Sequence, residues 1–395
     1  MTAEHPPESG DEHRDGPDKI PDADPTGSMT APWIGQAQDS DVVISSRVRL
    51  ARNVAGFNFV TRMDAADRRS VLALIRAGVG AGAASHKAGE GLEPTGVRVW
   101  IDIEKLDRHQ RSLLVERHLI STDHARGTAG GETQPDRGSE SARALLLSVP
   151  DQRLAVMLNE EDHIRIQAIL PGLSLGEAAE LAARADDEIE RTVDYAFSAR
   201  FGYLTACPTN VGTGARYSVM LHLPALRLLG EIDKVRRAAN DMALAVRGFW
   251  GEGSDSHGDF YQLSNQTTLG VAEDTLLDRL EHAIVPKIIA YERRARDRLL
   301  SSRRTMLEDT VYRAVGVLTH ARRLSTSESL QRLSEVRLGV AAGVLSGPTL
   351  EEISTLLLAS QPEHVKRAVP GTTSETLRAS RAAMVRKWAA AWSIA

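Results

Sequence analysis

The sequence predicts a mixed α+β domain followed by an all-helical domain, and two changes in residue pattern support this prediction. From Asp41 onward, short apolar runs of strand length alternate with polar turns. After about Val271, longer segments with apolar residues at helical spacing replace them. A chain of 395 residues is long enough for two domains with a substantial core in each. We therefore expect residues 36–275 to form the first domain and residues 276–395 the second.

Individual elements follow from the same periodicities. The apolar runs predict strands at 42–48, 97–103, 145–149, 154–158, 164–170, 218–223 and 260–263. Helical spacing predicts helices at 175–200, 276–300, 307–320, 325–338, 350–358 and from Glu375 to the C-terminus. Ser325 stands three residues before Glu328, which is the spacing of a capping box. The polar, glycine-rich stretch 123–141 predicts a surface loop.

Composition and charge exclude several classes of protein. The chain is 42% hydrophobic and 26% charged, as ordinary globular proteins are. Its net charge of −5 gives no basic footprint for nucleic acid. No apolar run approaches the roughly 20 residues that cross a bilayer, and we recognise no secretory leader. The single cysteine, Cys207, forms no intramolecular disulfide and suits a reducing compartment. We expect a cytoplasmic protein without nucleic-acid or membrane partners.

The N-terminal segment differs in composition from the rest. Residues 1–35 are rich in Pro, Gly, Asp and Glu and have little to bury, so they cannot offset the entropy of ordering. We expect this segment to be disordered. Met29 lies just before Trp33, where the composition becomes that of a folded chain, and both Met1 and Met29 are candidate translation starts.

Two arginines of the first predicted strand share one face. Arg47 and Arg49 lie two residues apart, so on a strand their side chains point the same way. Neighbouring guanidiniums repel unless an anion lies between them, and arginine binds phosphate with two parallel hydrogen bonds. From the strand alone, a solvated face and a polyphosphate site are both open.

An acidic run occupies the junction of two predicted strands. Glu160, Glu161 and Asp162 are followed by His163 and Arg165. Such carboxylates suit a general base or a magnesium site that acts through water. A plain acidic turn explains the run equally well.

Two further segments have the composition of functional loops. Cys207 lies in a Pro/Gly/Thr loop that ends at Arg216, and a thiol beside polar donors and arginine is biased toward the thiolate. The stretch 247–254 places Arg247 and Glu252 among glycines, as a mobile lid would. An inert cysteine and an ordinary surface loop are the alternatives.

Together these segments resemble the phosphagen kinase family, which transfers the γ-phosphoryl group of ATP to a guanidino nitrogen. The resemblance rests on residues 45–49, 159–163, 207–213 and 264–266, in the order and spacing of the family. It implies an antiparallel sheet flanked by helices, with ATP and Mg²⁺ as cofactors.

The resemblance also implies roles for particular residues. Glu161 and Glu252 would clamp the guanidinium and accept its proton, and Cys207 would contact it. Glu160 would hold Mg²⁺ through water, and His118 would pack against adenine. Residues implied in nucleotide binding are Ser45, Ser46, Arg47, Val48, Arg49, His118, Arg165, Arg216, Tyr217, Ser218, Val219, Met220, Arg247, Gly248, Phe249, Trp250, Gly251 and Glu252.

The position of the helical domain narrows the class of possible substrates. Small-molecule phosphagen kinases carry a helical domain before the catalytic one, whereas here it follows, and in this the chain resembles the bacterial protein-arginine kinases. That resemblance implies protein substrates with exposed arginines, handed to a ClpC-type chaperone and protease. It also implies a zinc-finger activator and a homodimer. A kinase of free arginine and a non-enzymatic adaptor that binds phosphoarginine or a chaperone remain alternatives.

One departure from that resemblance lies near the C-terminus. Relatives carry an Arg-Asp-x-x-Arg-Ala motif that forms a phosphoarginine pocket, but residues 377–382 keep only its second half, Arg381 and Ala382. Arg378 replaces the acidic residue. A degenerate pocket around Arg381 and a basic helix face in solvent, formed by Arg378, Arg381 and Arg386, are both open.

Overall fold

The computed structural model of the protein describes residues 30–85, 97–127, 142–248 and 257–394. Its centre is an antiparallel sheet of eight strands in the order β2-β3-β4-β5-β1-β8-β10-β9. These strands are β1 (Val43–Arg52), β2 (Val97–Asp102), β3 (Ala144–Val149), β4 (Leu154–Leu158), β5 (Ile164–Pro171), β8 (Ala215–His222), β9 (Leu244–Gly248) and β10 (Phe260–Asn265). The predicted antiparallel sheet is confirmed, and sequence analysis missed β9 and the short pair β6 (Phe197–Ser198) and β7 (Gly202–Tyr203).

In the described part of this half of the chain, six helices accompany the sheet: α1 (Ala65–Ser85), α2 (Arg108–Glu116), α3 (Thr122–Arg126), α4 (Leu175–Glu190), α5 (Pro224–Leu228) and α6 (Ile232–Asp241). α4 packs on β1 and β5. The helix predicted over 175–200 is wrong beyond Glu190, because the chain turns back there and Tyr195 Oη donates to Asp186 Oδ1 at 2.9 Å. The loop predicted over 123–141 is wrong at its start, where Ser121 caps α3, and its residues 128–141 lie outside the described part.

The second half of the chain is helical. Its helices are α7 (Glu273–Asp278), a π-helical turn (Arg279–Ile284), α8 (Val285–Ser302), α9 (Arg304–His320), α10 (Thr326–Ala341), α11 (Leu350–Ala359), α12 (Pro362–Ala368) and α13 (Leu377–Ala389). Ser325 caps α10 by accepting a hydrogen bond of 3.1 Å from the Glu328 amide. The prediction of a helix to the C-terminus is wrong, since α13 stops at Ala389 and β12 (Ser393–Ile394) pairs with β11 (Leu345–Ser346). No helix in the described ranges is both long and apolar enough to cross a membrane.

One hydrophobic core runs from the sheet into the helices. Val48 of β1 and Leu356 of α11 belong to the same cluster of buried residues, while a smaller cluster lies between α2 and strands β2–β4. His222 Nε2 lies 2.8 Å from Ser334 Oγ, which joins the end of β8 to α10. No break in the core therefore marks residue 275, and the boundary predicted there stays a prediction.

The described end of the N-terminal segment, residues 30–35, packs into this core. Ala31 and Trp33 are buried, at 3% and 5% exposure. The disorder expected for residues 1–35 is therefore wrong for residues 30–35, and residues 1–29 lie outside the described part.

Candidate active site

Five arginines converge on one face of the sheet because their strands are neighbours. Arg49 of β1 lies opposite Arg216 of β8, and Arg165 of β5 lies opposite Ala51, two residues along β1. Arg247 lies opposite Gln262 on the far side of β10. Since alternate residues of a strand share a face, these positions and Arg47 all belong to the same side.

The arginine row carries a strong positive potential. Arg47 and Arg49 are half-buried, and neither makes an ion pair within the described ranges. Burial and the nearby guanidiniums of Arg165 and Arg216 lower the pKa of Arg47 to about 10. Burial and the surrounding arginines depress the pKa of Arg49 well below its usual value. The arginines therefore line a cavity rather than an open strand face, and the row favours a bound polyanion.

Glu160 is a carboxylate that pairs with Arg165 of this row. Its Oε2 accepts hydrogen bonds of 2.7 Å from Arg165 Nη1 and from the Glu161 amide, and its Oε1 accepts one of 2.5 Å from Ser121 Oγ. Burial alone would raise the pKa of Glu160, but Arg165 and these hydrogen bonds hold it at about 2. The carboxylate is therefore ionised near neutral pH and has one acceptor position left for a metal-bound water. This chemistry fits the Mg²⁺ role that the family implies.

Glu161 has the properties of a proton acceptor. It is half-buried, lines the larger cavity of the site and lies 3.9 Å from Arg165 Nη1. Burial raises its pKa, with the Asp162 and Glu160 carboxylates adding to the effect and Arg165 and Arg216 opposing it. Adjacent carboxylates thus differ in role: Glu160 stays a fixed charge, while Glu161 is the more basic group.

The turn that carries both glutamates is held by buried polar contacts. Asn53 donates to Asp162 Oδ1 at 2.7 Å and accepts from the His163 amide at 3.0 Å. Nε2 of His163 lies 2.8 Å from the carbonyl oxygen of Asn58, and Nδ1 accepts from the Val54 amide at 3.0 Å. The acidic run is therefore no ordinary solvated turn, because the polar atoms of Asp162 and His163 form the hydrogen bonds that fix its shape.

Cys207 lies beside the same cavity. This cavity has a volume of about 600 Å³ and is lined by Glu161, Cys207, Arg216 and Asn210 among others. The sulfur atom lies 3.0 Å from Thr209 Oγ1. Gly212 has a φ of 113°, and a Cβ there would come within 2.2 Å of the Thr268 carbonyl oxygen. Only glycine lets the Cys207 loop pack so closely on the segment after β10.

A second cavity, of about 320 Å³, continues from the first. The two share Arg49, Glu160, Arg165 and Arg247. At its far end the rings of Trp33 and His118 meet edge to face, with centroids 6.1 Å apart. Burial and the charge of Arg47 lower the pKa of His118 to about 3, so its ring is neutral. A neutral, partly apolar pocket beside an arginine row suits a nucleotide base and its phosphates.

Several predicted nucleotide-binding residues line this second cavity, and others do not. Ser45, Ser218 and Met220 line it, as do Arg47, Arg49, His118, Arg165 and Arg247, while Arg216 lines the larger cavity. The side chains of four predicted residues lie on the opposite face of β1 and β8, where they are buried: Ser46, Val48, Tyr217 and Val219. Their side chains do not reach the cavity, because strand alternation turns every second side chain away from the arginines, and their role in nucleotide binding stays a prediction.

The remaining predicted residues fall into two groups. Gly248 ends β9 and is buried opposite Tyr261. Phe249, Trp250, Gly251 and Glu252 lie outside the described residues. Sequence reasoning also missed Trp33, Ser121, Asp123, Gln167 and Gln262, which line the second cavity. No local sequence pattern marks these residues, since each comes close to the arginines only when the chain folds.

Arg381 is buried rather than solvated. Its Nε donates to the Ser360 carbonyl at 2.6 Å, Nη1 to the Leu324 carbonyl at 2.9 Å, and Nη2 to Thr326 Oγ1 at 3.0 Å. The interpretation of a basic helix face in solvent is wrong for Arg381 and holds for the exposed Arg378. Because the chain's own acceptors occupy the Arg381 guanidinium, a phosphoarginine pocket there remains only a prediction.

Comparison with known proteins agrees with this geometry. Residues 88–295 match the family of the ATP:guanido phosphotransferase C-terminal catalytic domain, and residues 304–393 match the protein-arginine kinase McsB C-terminal domain. A protein-arginine kinase of Halalkalibacterium halodurans is 39% identical over 90% of this chain and 94% of its own length. A protein-arginine kinase of Caldanaerobacter subterraneus is 41% identical over 83% of this chain and 91% of its own length.

Solved structures share the fold. The duplicated taurocyamine kinase of Schistosoma mansoni with bound transition-state analogue components has a TM-score of 0.55 and 25% identity, covering 68% of this chain and 35% of that one. A lombricine kinase has a TM-score of 0.53 and covers 67% and 70%, and at 23% identity it supports the fold alone. The chain therefore belongs to the ATP:guanido phosphotransferases and, within them, to the protein-arginine kinase family.

Proposed function

We propose that this chain transfers the γ-phosphoryl group of ATP to the guanidino group of arginine side chains in other proteins. One observation carries the proposal: a half-buried row of arginines opens directly into a cavity that holds Glu161, Cys207 and Arg216. Phosphoryl transfer depends mainly on positioning and on neutralising charge, which such a row supplies. The protein-arginine kinase relatives match this chain over most of its length.

The chemistry assigns a distinct task to each part of the site. Trp33 and His118 hold the base, and the arginines hold the phosphates. A guanidino nitrogen attacks the γ-phosphorus, the bond from that phosphorus to the leaving oxygen of ADP breaks, and the guanidinium gives up one proton. Glu161 accepts this proton, since its raised pKa makes it the better base of the acidic turn. Bound Mg²⁺ would neutralise charge on the phosphates, and Glu160 would hold it through water.

The target arginine approaches through the larger cavity. A free guanidinium is protonated at neutral pH and needs anionic partners to be held and deprotonated. Glu161 supplies one of them, and Glu252 supplies the second in our proposal by resemblance alone. Cys207, with its sulfur near Thr209, contacts the same group.

The same proposal includes the location, the oligomeric state and the partners of the protein. A cytoplasmic location, a homodimer, a ClpC-type chaperone and a zinc-finger activator follow from the resemblance to protein-arginine kinases. A kinase of free arginine is the nearest alternative, because the larger cavity would admit a single amino acid as readily as a side chain. A non-enzymatic adaptor is less favoured, since it leaves the arginine row without a task.

The test is direct. The purified protein is incubated with Mg·ATP and either casein or free arginine, and phosphoarginine is measured by mass spectrometry at neutral pH because the P–N bond is acid-labile. Phosphate on casein supports the proposal, and phosphate on free arginine alone identifies a small-guanidine kinase. Absence of both products, with nucleotide binding retained, favours the adaptor.

A further inference from the structure

The base end of the nucleotide pocket is built on a short turn that follows α2. Three successive residues, the last of α2 and the first two of this turn, direct their side chains to three different parts of the molecule. His118 faces the ring of Trp33. Arg117 donates from Nε to the Thr30 carbonyl at 2.9 Å, so it anchors the segment that carries Trp33. Glu116 reaches away from the nucleotide, into the helical part of the chain.

Glu116 serves as the N-terminal cap of α12, a helix that lacks one of its own. Pro362 has no amide hydrogen, and the Gln361 side chain does not cap the helix. The first free amides belong to Glu363 and His364. Glu116 Oε1 accepts from the Glu363 amide at 2.9 Å, and Oε2 accepts from the His364 amide at 3.2 Å. His364 Nδ1 lies 2.7 Å from the same Oε2.

The carboxylate also faces a buried charge. Arg381 of α13 donates to the carbonyl of Ser360, just before the start of α12. Burial lowers the pKa of Arg381, and the nearby Glu116 carboxylate acts in the opposite direction. Glu116 is 8% exposed and Arg381 is 1% exposed. The hydrogen bonds that Glu116 accepts from α12 are therefore well shielded from solvent, where hydrogen bonds to a charged group are strong.

His118 needs such support. Its φ of 62° lies in the left-handed region, which a residue with a side chain adopts only when its surroundings enforce it. Gln167 Nε2 donates to the His118 carbonyl at 2.8 Å from the sheet side. On the other side, the adjoining residues Glu116 and Arg117 hold the turn.

We propose that Glu116 is a positioning residue for the nucleotide, through which helix α12 sets the place of His118 and Trp33. The inference rests on the proposed function only in requiring that ATP binds in the second cavity. The helical part of the chain thus completes the catalytic domain's nucleotide pocket without touching the nucleotide.

The test compares two contacts between the same two helices. Glu116→Gln keeps the size of the side chain but removes its charge and one acceptor. His109→Ala is the matched control, because His109 Nδ1 contacts Glu363 Oε2 at 2.5 Å from the first turn of α2, far along the helix from His118. ADP binding to the full-length protein is measured by calorimetry without any protein substrate.

We expect Glu116→Gln to raise the Kd for ADP about fivefold and the KM for ATP by a similar factor, with kcat within about twofold of wild type. His109→Ala should change the Kd for ADP by less than about twofold. Thermal unfolding checks that both variants fold. If Glu116→Gln folds poorly, His364→Ala, which removes one of three donors, should still raise the Kd at least about threefold, above the limit set for His109→Ala.

A purely structural role predicts a different result. It would lower the unfolding temperature and the fraction of protein that binds, while the Kd of the folded fraction stays unchanged. That outcome overturns the proposal, as does an equal rise in Kd for His109→Ala. Wild-type protein that binds ADP but phosphorylates nothing would contradict the proposed function and leave this inference standing.

Discussion

Arg165 donates a hydrogen bond of 2.7 Å to Glu160, and the two residues form the charged wall between the two cavities of the site. The pair satisfies the guanidinium on one side and leaves Glu161, 3.9 Å from the same nitrogen, only weakly engaged. A carboxylate that lies near a cation without a close hydrogen bond to it can bind a second guanidinium. The first two predictions, on Glu161→Gln and on the pH dependence of the rate, follow from this division of charge.

Replacing Glu161 by Gln should reduce kcat at least about 100-fold, because the proton acceptor is lost while the nucleotide pocket keeps its shape. The Kd for ADP should stay within about twofold of wild type, since Glu161 does not line the second cavity. Phosphoarginine formation on casein measures the first effect. Glu177→Gln, at an exposed position of α4, serves as the control. Activity that survives Glu161→Gln would remove this residue from its proposed role.

The acidic limb of the pH–rate profile should reflect Glu161. Burial raises its pKa above the usual 4.5, and only the ionised form accepts a proton. The rate should therefore fall as pH decreases through this raised pKa. Glu160, with a pKa of about 2, remains ionised throughout and adds no limb in the accessible range. A profile of kcat/KM against pH tests this. A limb that persists unchanged in the residual activity of Glu161→Gln would assign it to another group.

Replacing Arg49 by Met should weaken nucleotide binding without destabilising the free protein. The guanidinium is half-buried among other arginines that lower its pKa, so removing it relieves repulsion. We expect a Kd for ADP at least about tenfold higher, with an unfolding temperature equal to or above that of wild type. Arg98→Met is the control, because Arg98 is paired with Glu188 outside the site. It should lower stability and leave the Kd unchanged, and the reverse pattern would contradict the electrostatic argument.

Replacing Cys207 by Ser should lower kcat about tenfold and leave ADP binding unchanged. The sulfur lines the larger cavity but not the second one, and it contacts Thr209 at 3.0 Å. Initial rates on casein with calorimetric ADP binding separate the two effects. Thr209→Val tests whether the hydroxyl acts through the sulfur. A Thr209→Val effect that persists in the Cys207→Ser background would show that it does not.

The fifth prediction concerns stability rather than catalysis. Burial raises the pKa of Glu292 to about 7, although Arg296 and the amides of Ala225 and Leu226 oppose this. A carboxyl whose pKa is higher in the folded state favours folding most at low pH. Its contribution falls as pH rises from about 4.5 to about 7, by on the order of 2 kcal/mol.

Urea unfolding at several pH values between about 5 and 8 tests this. The stability difference between wild type and Glu292→Gln should shrink as pH rises, and the exposed Glu177→Gln is measured as the control. A difference that grows with pH would mean that the pKa of Glu292 is lowered rather than raised.

Much of the site could be predicted because its chemistry is local in sequence. Arg47 and Arg49 share a face through strand alternation alone, and the acidic run that carries Glu161 is contiguous. The same alternation argues against Ser46, Val48, Tyr217 and Val219, whose inclusion followed the family's motifs as continuous stretches. Strand alternation therefore separates the side chains that reach the cavity from those that do not.

Other parts depend on tertiary contacts that no local pattern contains. Trp33 reaches the pocket because Arg117 binds the carbonyl of Thr30, a contact between residues 87 apart in sequence. The helical periodicity of residues 377–389 is visible, but periodicity does not say what covers each face, so the burial of Arg381 was missed. The end of α4 was misplaced for a similar reason, since Tyr195 turns back to a partner on the helix itself.

The packing of α10 limits how such a chain can be redesigned. Its buried residues run almost without interruption from Ser329 to Gly339, and a Cβ at Gly339 would lie 2.5 Å from Val311 Cγ1. On its other side, Ser334 contacts His222 at the end of β8. A graft that exchanged the helical half between relatives would leave mismatched surfaces on both sides of this helix. Functional chimeras must therefore transfer α10 together with the strand ends and the α9 face that enclose it.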